Sequence, residues 1–529
     1  MIARMRHLGS KVSPTAGVQS LQSSVVIPWW SRTTTMLIFM VMSTIPLWVT
    51  RIPPLNDFLG HMARYHVALE IDHNPLLARN WDYHWTVISN LGVDLLIMPI
   101  ARLIGLEPAA WIIAASLPPL MIWGIYRAAK AIYGSVPVTV LATLPFVLAY
   151  PYQYGFVNYW LATALAFHAF AFWVKLDTRP AIRAAVFIPI SFAIWICHIY
   201  GWAILGVLVG GYELSRVIGS WKKPGVRPMT LAVARTWPLL TVVIAMIMFR
   251  SNSEGAETYG WFDIILKVRV VILTLRDQNK ILDIVTLIAA VFLIYFGMRD
   301  KRPTMDPRFG VPALLFAGAI LILPFELLGC GFAGGRLYPL LFITAILSVR
   351  LAPDRVDVRI RDAIPIVFAG LFALRIVAST LGNVEYEAAN QRHLKALDYI
   401  PRGASVAILV RQPCKTDWRL ARLEHVGSMA ILRRDAFINS QWDVPGGQLL
   451  RATRAVGTDF NTDPSQFVAD PACPRDLRPM LARKINAIPR QFFEYLWVFD
   501  FDPKTLPPAN FWTPVYQDEN TILYRKSAT

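Results

Sequence analysis

The stretch RIPPLNDFLGHMARYHVALE, residues 51–70, decides how this chain is read. It directly follows the apolar run TMLIFMVMSTIPLWVT at 35–50 and holds one aspartate, one glutamate, two histidines and two arginines. An apolar run of that length reads as a membrane-crossing helix, and Pro53-Pro54 ends it by fixing the backbone and removing helical donors. The polar cluster therefore falls where the chain leaves the bilayer.

The rest of the sequence supports that reading. Of 529 residues, 55% are hydrophobic and only 16% are charged. The apolar residues fall in blocks at 35–50, 109–127, 136–150, 157–175, 183–197, 200–217, 231–249, 280–298, 310–328, 336–350 and 363–381. These blocks predict a polytopic α-helical membrane protein with about eleven transmembrane helices. The formal net charge of +17 then points to cytoplasmic loops and lipid headgroups as partners of Lys and Arg, not to nucleic acid.

Residues 1–34 carry Arg4, Arg6, Lys11 and Arg32 and no acid, which reads as a cytoplasmic basic N-terminus before a retained anchor. The segment 91–106 contains Asp94, Pro99 and Arg102. Treated as a helix lying on the outer surface, it leaves the strongly basic loops 127–135, 175–183, 215–227, 299–308 and 350–362 on the cytoplasmic side. The basic loop 250–279 falls outside in this arrangement. A transmembrane domain then spans 35–383 with a large first outer loop at 51–108. Residues 384–529 form a small α/β extracytoplasmic domain, with strand-like runs at 404–410 and 494–501 and a helix-like run, LARLEHVGSMAILRR, at 420–434. Cys414 and Cys473 are the two cysteines of that outer domain, and an oxidising compartment predicts that they pair. No CxxC or Cys/His zinc spacing occurs, so no structural metal site is expected.

Read as a helix, residues 56–70 place Asp57, His61, Arg64 and Ala68 on one face. A carboxylate and an imidazole there suit acid/base work, and a guanidinium suits phosphate. The plainer alternatives are an Asp57 that only caps the helix and an Arg64 that only snorkels to headgroups.

The layout of PPLNDFLGHMARYHVAL after a first span, with many spans and an outer C-terminal domain following, resembles the GT-C superfamily of integral-membrane glycosyltransferases. The likeness is to bacterial members of the mannosyltransferase and aminoarabinose-transferase kind, which use polyprenyl-phosphate-linked sugar donors. It implies a bacterial inner-membrane enzyme with a lipid-linked sugar donor and a glycan, lipid or protein acceptor. By the same likeness Asp57 matches the acidic first-loop residue that orients or deprotonates the acceptor or helps hold a divalent metal ion, the one candidate cofactor. Many members carry a second acid beside it; Phe58 stands there in this chain.

Three further outer turns carry candidate substrate-binding groups. In YPYQYGFVNYWLA, 150–162, Tyr154 and Asn158 are placed to meet sugar hydroxyls, or the segment is an interfacial aromatic belt. In WICHIYGWA, 195–203, His198 sits at the lip between two spans, as a functional group or bonded to a backbone carbonyl. In LPFELLGCGFAGGRLYPLL, 323–341, Glu326 and Arg336 flank a glycine-rich turn, where Arg336 suits a lipid phosphate or pairs with Glu326.

The leading function is therefore transfer of a sugar from a polyprenyl-phosphate donor to an extracytoplasmic acceptor, with Asp57 and His61 catalytic. A transporter or flippase for a lipid-linked or polyanionic substrate is the alternative, but it calls for ionisable groups near mid-membrane and for inverted repeats. A non-catalytic assembly protein of the same fold is the third class. The topology has a direct test: in intact cells an impermeant thiol reagent is expected to label a cysteine placed at Thr505 and not one placed at Lys222. The reverse pattern overturns the orientation.

Overall fold

The computed structural model describes residues 27–219, 226–249, 258–299, 304–327, 331–351, 356–414, 417–444, 446–457, 459–473 and 476–527. Most of the basic N-terminus, Lys222, Gly329 and Cys330 lie outside them. Six described helices are long and apolar enough to cross a membrane: Leu106–Tyr133, Val157–Lys175, Pro180–Cys197, Ile199–Ile218, Lys280–Arg299 and Val358–Tyr399. Val157–Lys175 lies at the centre of the bundle and buries Trp160, Phe167, Phe170 and Trp173. A helix that is apolar all round needs such a central place. At the periphery Lys280–Arg299 leaves Ile281, Ile288 and Phe292 exposed, an apolar surface that lipid solvates and water does not.

Six of the eleven expected apolar blocks thus form helices of crossing length among the described residues. The other five apolar blocks form shorter helices, Thr33–Trp48, Val138–Gln153, Trp237–Met248, Pro307–Ile322 and Gly335–Ser348. Composition marks apolar blocks well, but the length that stays helical is set by prolines and turns within each block. In the first of them the helix Thr33–Met42 gives way at Ser43 to a short turn of helix, Ile45–Trp48, that contains Pro46. Segment 91–106 is a helix, Gly92–Ile104, that buries Asp94 and exposes Leu95, Leu96 and Leu103.

The helix of the opening stretch spans Phe58–Glu70 and is buried along most of its length. It packs beneath the C-terminal domain. The last apolar helix, Val358–Leu394, runs through residue 384, so the expected domain boundary falls inside a continuous helix. The sequence NVEYEAANQRHL loses hydrophobicity there without losing helix-forming residues.

Beyond it stands a mixed sheet ordered Phe437–Ile438, Ser405–Gln412, Tyr495–Phe499, Thr521–Lys526, Trp512–Gln517, with Phe467–Ala469 also paired to Ser405–Gln412. Ser405–Gln412 runs parallel to its three neighbours. It is buried on both faces, which its unbroken apolar run VAILV foretells. The expected helix at 420–434 is shorter: only Met429–Arg434 is α-helical, after a 3-10 turn at Val426–Ser428. The residues before that turn are drawn out of helical form because Arg422 is anchored in the bundle, where it donates to the Pro54 carbonyl at 2.7 Å and to Asp277 at 3.0 Å.

The first loop and the C-terminal domain share backbone pairing. Trp81–Tyr83 is antiparallel to Leu450–Ala452. Around that pair, Arg79 donates to the Gly403 carbonyl at 2.6 Å, His66 meets Asp435 at 2.9 Å and Arg433 forks onto Glu107 at 2.9 and 3.0 Å.

Cys414 and Cys473, 59 residues apart, form a disulfide. Closing a loop of that size contributes about 4 kcal/mol in the chain-entropy model. Non-reducing peptide mapping is expected to recover the two cysteines linked, and Cys473→Ser to lower stability by roughly that amount. Free thiols at both positions in the purified protein overturn the pairing.

Candidate active site

The site begins with how Asp57 is held. Its backbone N–H donates to the Tyr154 carbonyl at 2.9 Å, and the Asn56 N–H donates to the Gln153 carbonyl at 3.3 Å. This contact depends on Gly155, which has φ +90°; a Cβ there would meet the Asp57 nitrogen at 2.9 Å. Asp57 occupies the N-cap position of Phe58–Glu70, yet its side chain makes no capping hydrogen bond. Its carboxylate instead faces a cavity of about 380 Å³ between the helix bundle and the C-terminal domain.

Seven of the eight residues expected from sequence line that cavity: Asp57, His61, Tyr154, Asn158, His198, Glu326 and Arg336. Arg64 is the exception. It is buried and paired with Asp94 at 2.8 Å. It stands on the same helix face, but its guanidinium is spent on Asp94, the partner that a buried charge requires.

The other residues differ in how free they are. Asn158 is fully engaged: its amide donates to the Asn90 carbonyl at 2.8 Å and to Asp94 at 3.1 Å, and its oxygen accepts from the Val93 N–H at 2.6 Å. His198 Nδ1 accepts from the Tyr200 N–H at 3.1 Å. The Tyr154 hydroxyl lies 3.4 Å from Glu424. Arg336 stacks over the Phe156 ring at 4.0 Å and donates to the Gly331 carbonyl at 3.1 Å, while its buried Nε has no hydrogen-bond partner among the described residues. No ion pair joins Arg336 to Glu326 among the described residues.

Among the cavity residues that the C-terminal domain supplies, the sequence reading did not pick out Glu424, His425, Trp442 and Asp463. Glu424 accepts from the Asn56 amide at 2.6 Å. The His425 Nε2 lies 3.8 Å from Asp57. Trp442 packs against both imidazoles, with ring centroids 5.0 Å from His61 and 4.4 Å from His425. It also lies against Gly60, where a Cβ would come within 2.5 Å of its ring. The available signal was an adjacent acid and imidazole, Glu424-His425, inside the helix-like run at 420–434.

Burial sets the electrostatics. It pushes the Asp57 carboxyl well above the usual carboxylate range, with Glu424 and Asp463 adding repulsion and Arg336 opposing. Burial raises Glu424 to about 7, partly offset by its hydrogen bond from Asn56. It lowers His425 below the ordinary imidazole range, and it lowers His61 further with help from Arg64 and His425. The cavity thus holds imidazoles that stay neutral and carboxylates poised to take up a proton, the condition general-base chemistry needs. Asp57, Glu424 and His425 also bring one ligand atom each within 4.8 Å of one another. Two carboxylates and an imidazole are donors that fit a divalent metal ion.

No family model matches the chain, and no curated protein matches it by sequence. Solved structures do. The apo state of ArnT from Cupriavidus metallidurans is 12% identical over 93% of this chain and 98% of its own, with a TM-score of 0.50. The same protein bound to undecaprenyl phosphate aligns at 12% identity over 94% of this chain and 99% of its own, with a TM-score of 0.47. The arabinofuranosyltransferase AftD from Mycobacteria is 16% identical over 94% of this chain and 40% of its own, with a TM-score of 0.43. The likeness to apo ArnT shows the fold alone: this chain shares that fold, here a bundle of apolar helices followed by a small sheet domain.

Proposed function

We propose that the protein is a membrane glycosyltransferase that moves a sugar from a polyprenyl-phosphate-linked donor to an extracytoplasmic glycan, lipid or protein acceptor. The observation that carries this reading is the uncapped Asp57 carboxylate, which shares one cavity with Arg336. The GT-C fold supports it further.

In this reading Asp57 orients the acceptor hydroxyl and takes its proton as the oxygen bonds to the anomeric carbon. The bond from that carbon to the phosphate oxygen breaks, and the lipid phosphate leaves with its charge against Arg336. Arg336 suits the task because aromatic stacking fixes its plane and Nε remains free to donate. His61 is neutral and adds a second acid/base group beside Asp57. A divalent ion held by Asp57, Glu424 and His425 would supply positive charge beside the reacting groups. Tyr154, His198 and Glu326 line the space left for the sugar, while Arg64 and Asn158 support the floor of the cavity. The cavity end of the molecule belongs outside the cytoplasm, and the disulfide supports that side. Eleven crossings with a cytoplasmic N-terminus complete the proposed topology.

Transfer from a polyprenyl-phosphate sugar by purified protein in lipid tests the reading. Asp57→Asn is expected to fold normally and to lose about 10²-fold or more in turnover, the scale of a general base. Arg336→Ala is expected to weaken donor use, with Arg336→Lys recovering part of it. A well-folded Asp57→Asn protein with near-normal transfer overturns the assignment.

A further inference from the structure

We propose that a basic groove on the C-terminal domain, separate from the cavity, binds an anionic polymer, a glycan chain bearing carboxylate or phosphate groups. The groove has a volume of about 870 Å³ and shares no lining residue with the cavity around Asp57. It lies where the first loop meets one end of the sheet. Arg79 comes from the first loop, Arg402 from the turn before Ser405–Gln412, and Arg525 and Lys526 from the end of the last strand.

The first argument is unanswered charge. Glu494 is the one acid lining the groove among the described residues, and its Oε2 accepts from the Ser405 N–H at 3.1 Å. Arg402 is answered by Asp435 at 2.8 Å. Among the described residues the other cations form no ion pair. Arg79 donates to the Gly403 carbonyl at 2.6 Å, and Lys526 donates to the Arg490 carbonyl at 3.1 Å. Arg525 stands between Tyr495 and Thr513 in the sheet, so no acid faces it across either strand pair. Burial and the neighbouring Arg79 pull the Arg454 guanidinium below its ordinary range, against Glu494. A field of one sign is costly to assemble and draws a partner of the opposite sign. Guanidiniums match carboxylates and phosphates through paired N–H donors.

The second argument is size and lining. The groove is larger than the cavity, and its cations come from three separate segments, so they suit several anions along one chain better than one isolated ion. None of its lining residues is an exposed large apolar side chain. A lipid headgroup site needs apolar surface beside its cations for the acyl chains. This groove lacks it and offers room to a polar chain. That the polymer is a glycan rests on the transferase reading; that the groove takes a polyanion does not. Under that reading the groove holds the acceptor chain away from the cavity, where Asp57 and Arg336 meet the reacting units.

The test uses the full chain in phosphatidylcholine nanodiscs and the fluorescence anisotropy of a labelled galacturonate oligomer, with a neutral dextran oligomer of the same length as control. The galacturonate oligomer is expected to bind and the dextran not, and binding is expected to weaken as salt rises. Arg525→Glu combined with Lys526→Glu, both at exposed positions, is expected to weaken binding at least about tenfold. Arg525→Lys, which keeps the charge, is expected to retain most of it. Equal binding of the two oligomers by wild-type protein, or binding of neither, overturns the proposal, and neither result depends on a variant folding. A folded charge-reversed protein that binds as wild type does overturns it as well. Displacement of the oligomer by phosphatidylglycerol vesicles also overturns it, because the groove then serves membrane lipid. Charge-dependent oligomer binding by a protein that transfers no sugar upholds the groove and counts against the transfer reading alone.

Discussion

The guanidinium of Arg422 is the contact on which the rest of the site depends. It is 7% exposed and donates to the Pro54 carbonyl at 2.7 Å, to Asn383 at 3.2 Å, to Gln153 at 3.3 Å and to Asp277 at 3.0 Å. One side chain of the C-terminal domain thus bonds the exit of the first apolar block, the helix Val358–Leu394, the turn before the central helix and a residue three positions before Lys280–Arg299. A buried guanidinium is costly to dehydrate and is tolerated only with its donors satisfied. The four partners come from four parts of the chain, so those parts must converge. Two and three residues later the same segment delivers Glu424 and His425 against Asp57.

A second buried network holds the other side. Asp94 accepts from both Arg64 and Asn158, and Asn158 also fixes the backbone at Val93 and Asn90. This joins the helix Phe58–Glu70, the helix Gly92–Ile104 and the central helix. Ionisable residues kept out of the cavity therefore still shape it. The groups inside are few and fixed from outside: Asp57 by the Tyr154-Gly155 turn, Glu424 by Asn56 and both imidazoles by Trp442.

The physical cost of this arrangement is crowded negative charge in a dry place. Carboxylates that close together cannot all ionise freely, and burial strengthens every interaction among them. The same crowding makes Asp57 a stronger base than an exposed aspartate and makes the cavity receptive to cations. Arg336 lines the same cavity, stacked on Phe156 and flanked by Tyr159 and Tyr200.

Much of this was legible in the sequence. Apolar blocks mark a membrane bundle because hydrocarbon demands long uncharged segments. The helix after Pro53-Pro54, the strands at 404–410 and 494–501 and the pairing of Cys414 with Cys473 follow from local pattern and compartment. Seven of the expected residues reach one cavity because each lies at or near the end of an apolar block. The tertiary structure alone decided the rest. Glu424 meets Asn56 across 368 positions, and no periodicity records a contact of that separation. Arg64 is paired instead with Asp94, thirty positions away. The run at 420–434 lost its first helical turns to Arg422's distant bonds. Local patterns report which backbone form a segment prefers; which side chains meet in a cavity depends on long-range packing, where buried polar groups must find partners wherever the chain brings them.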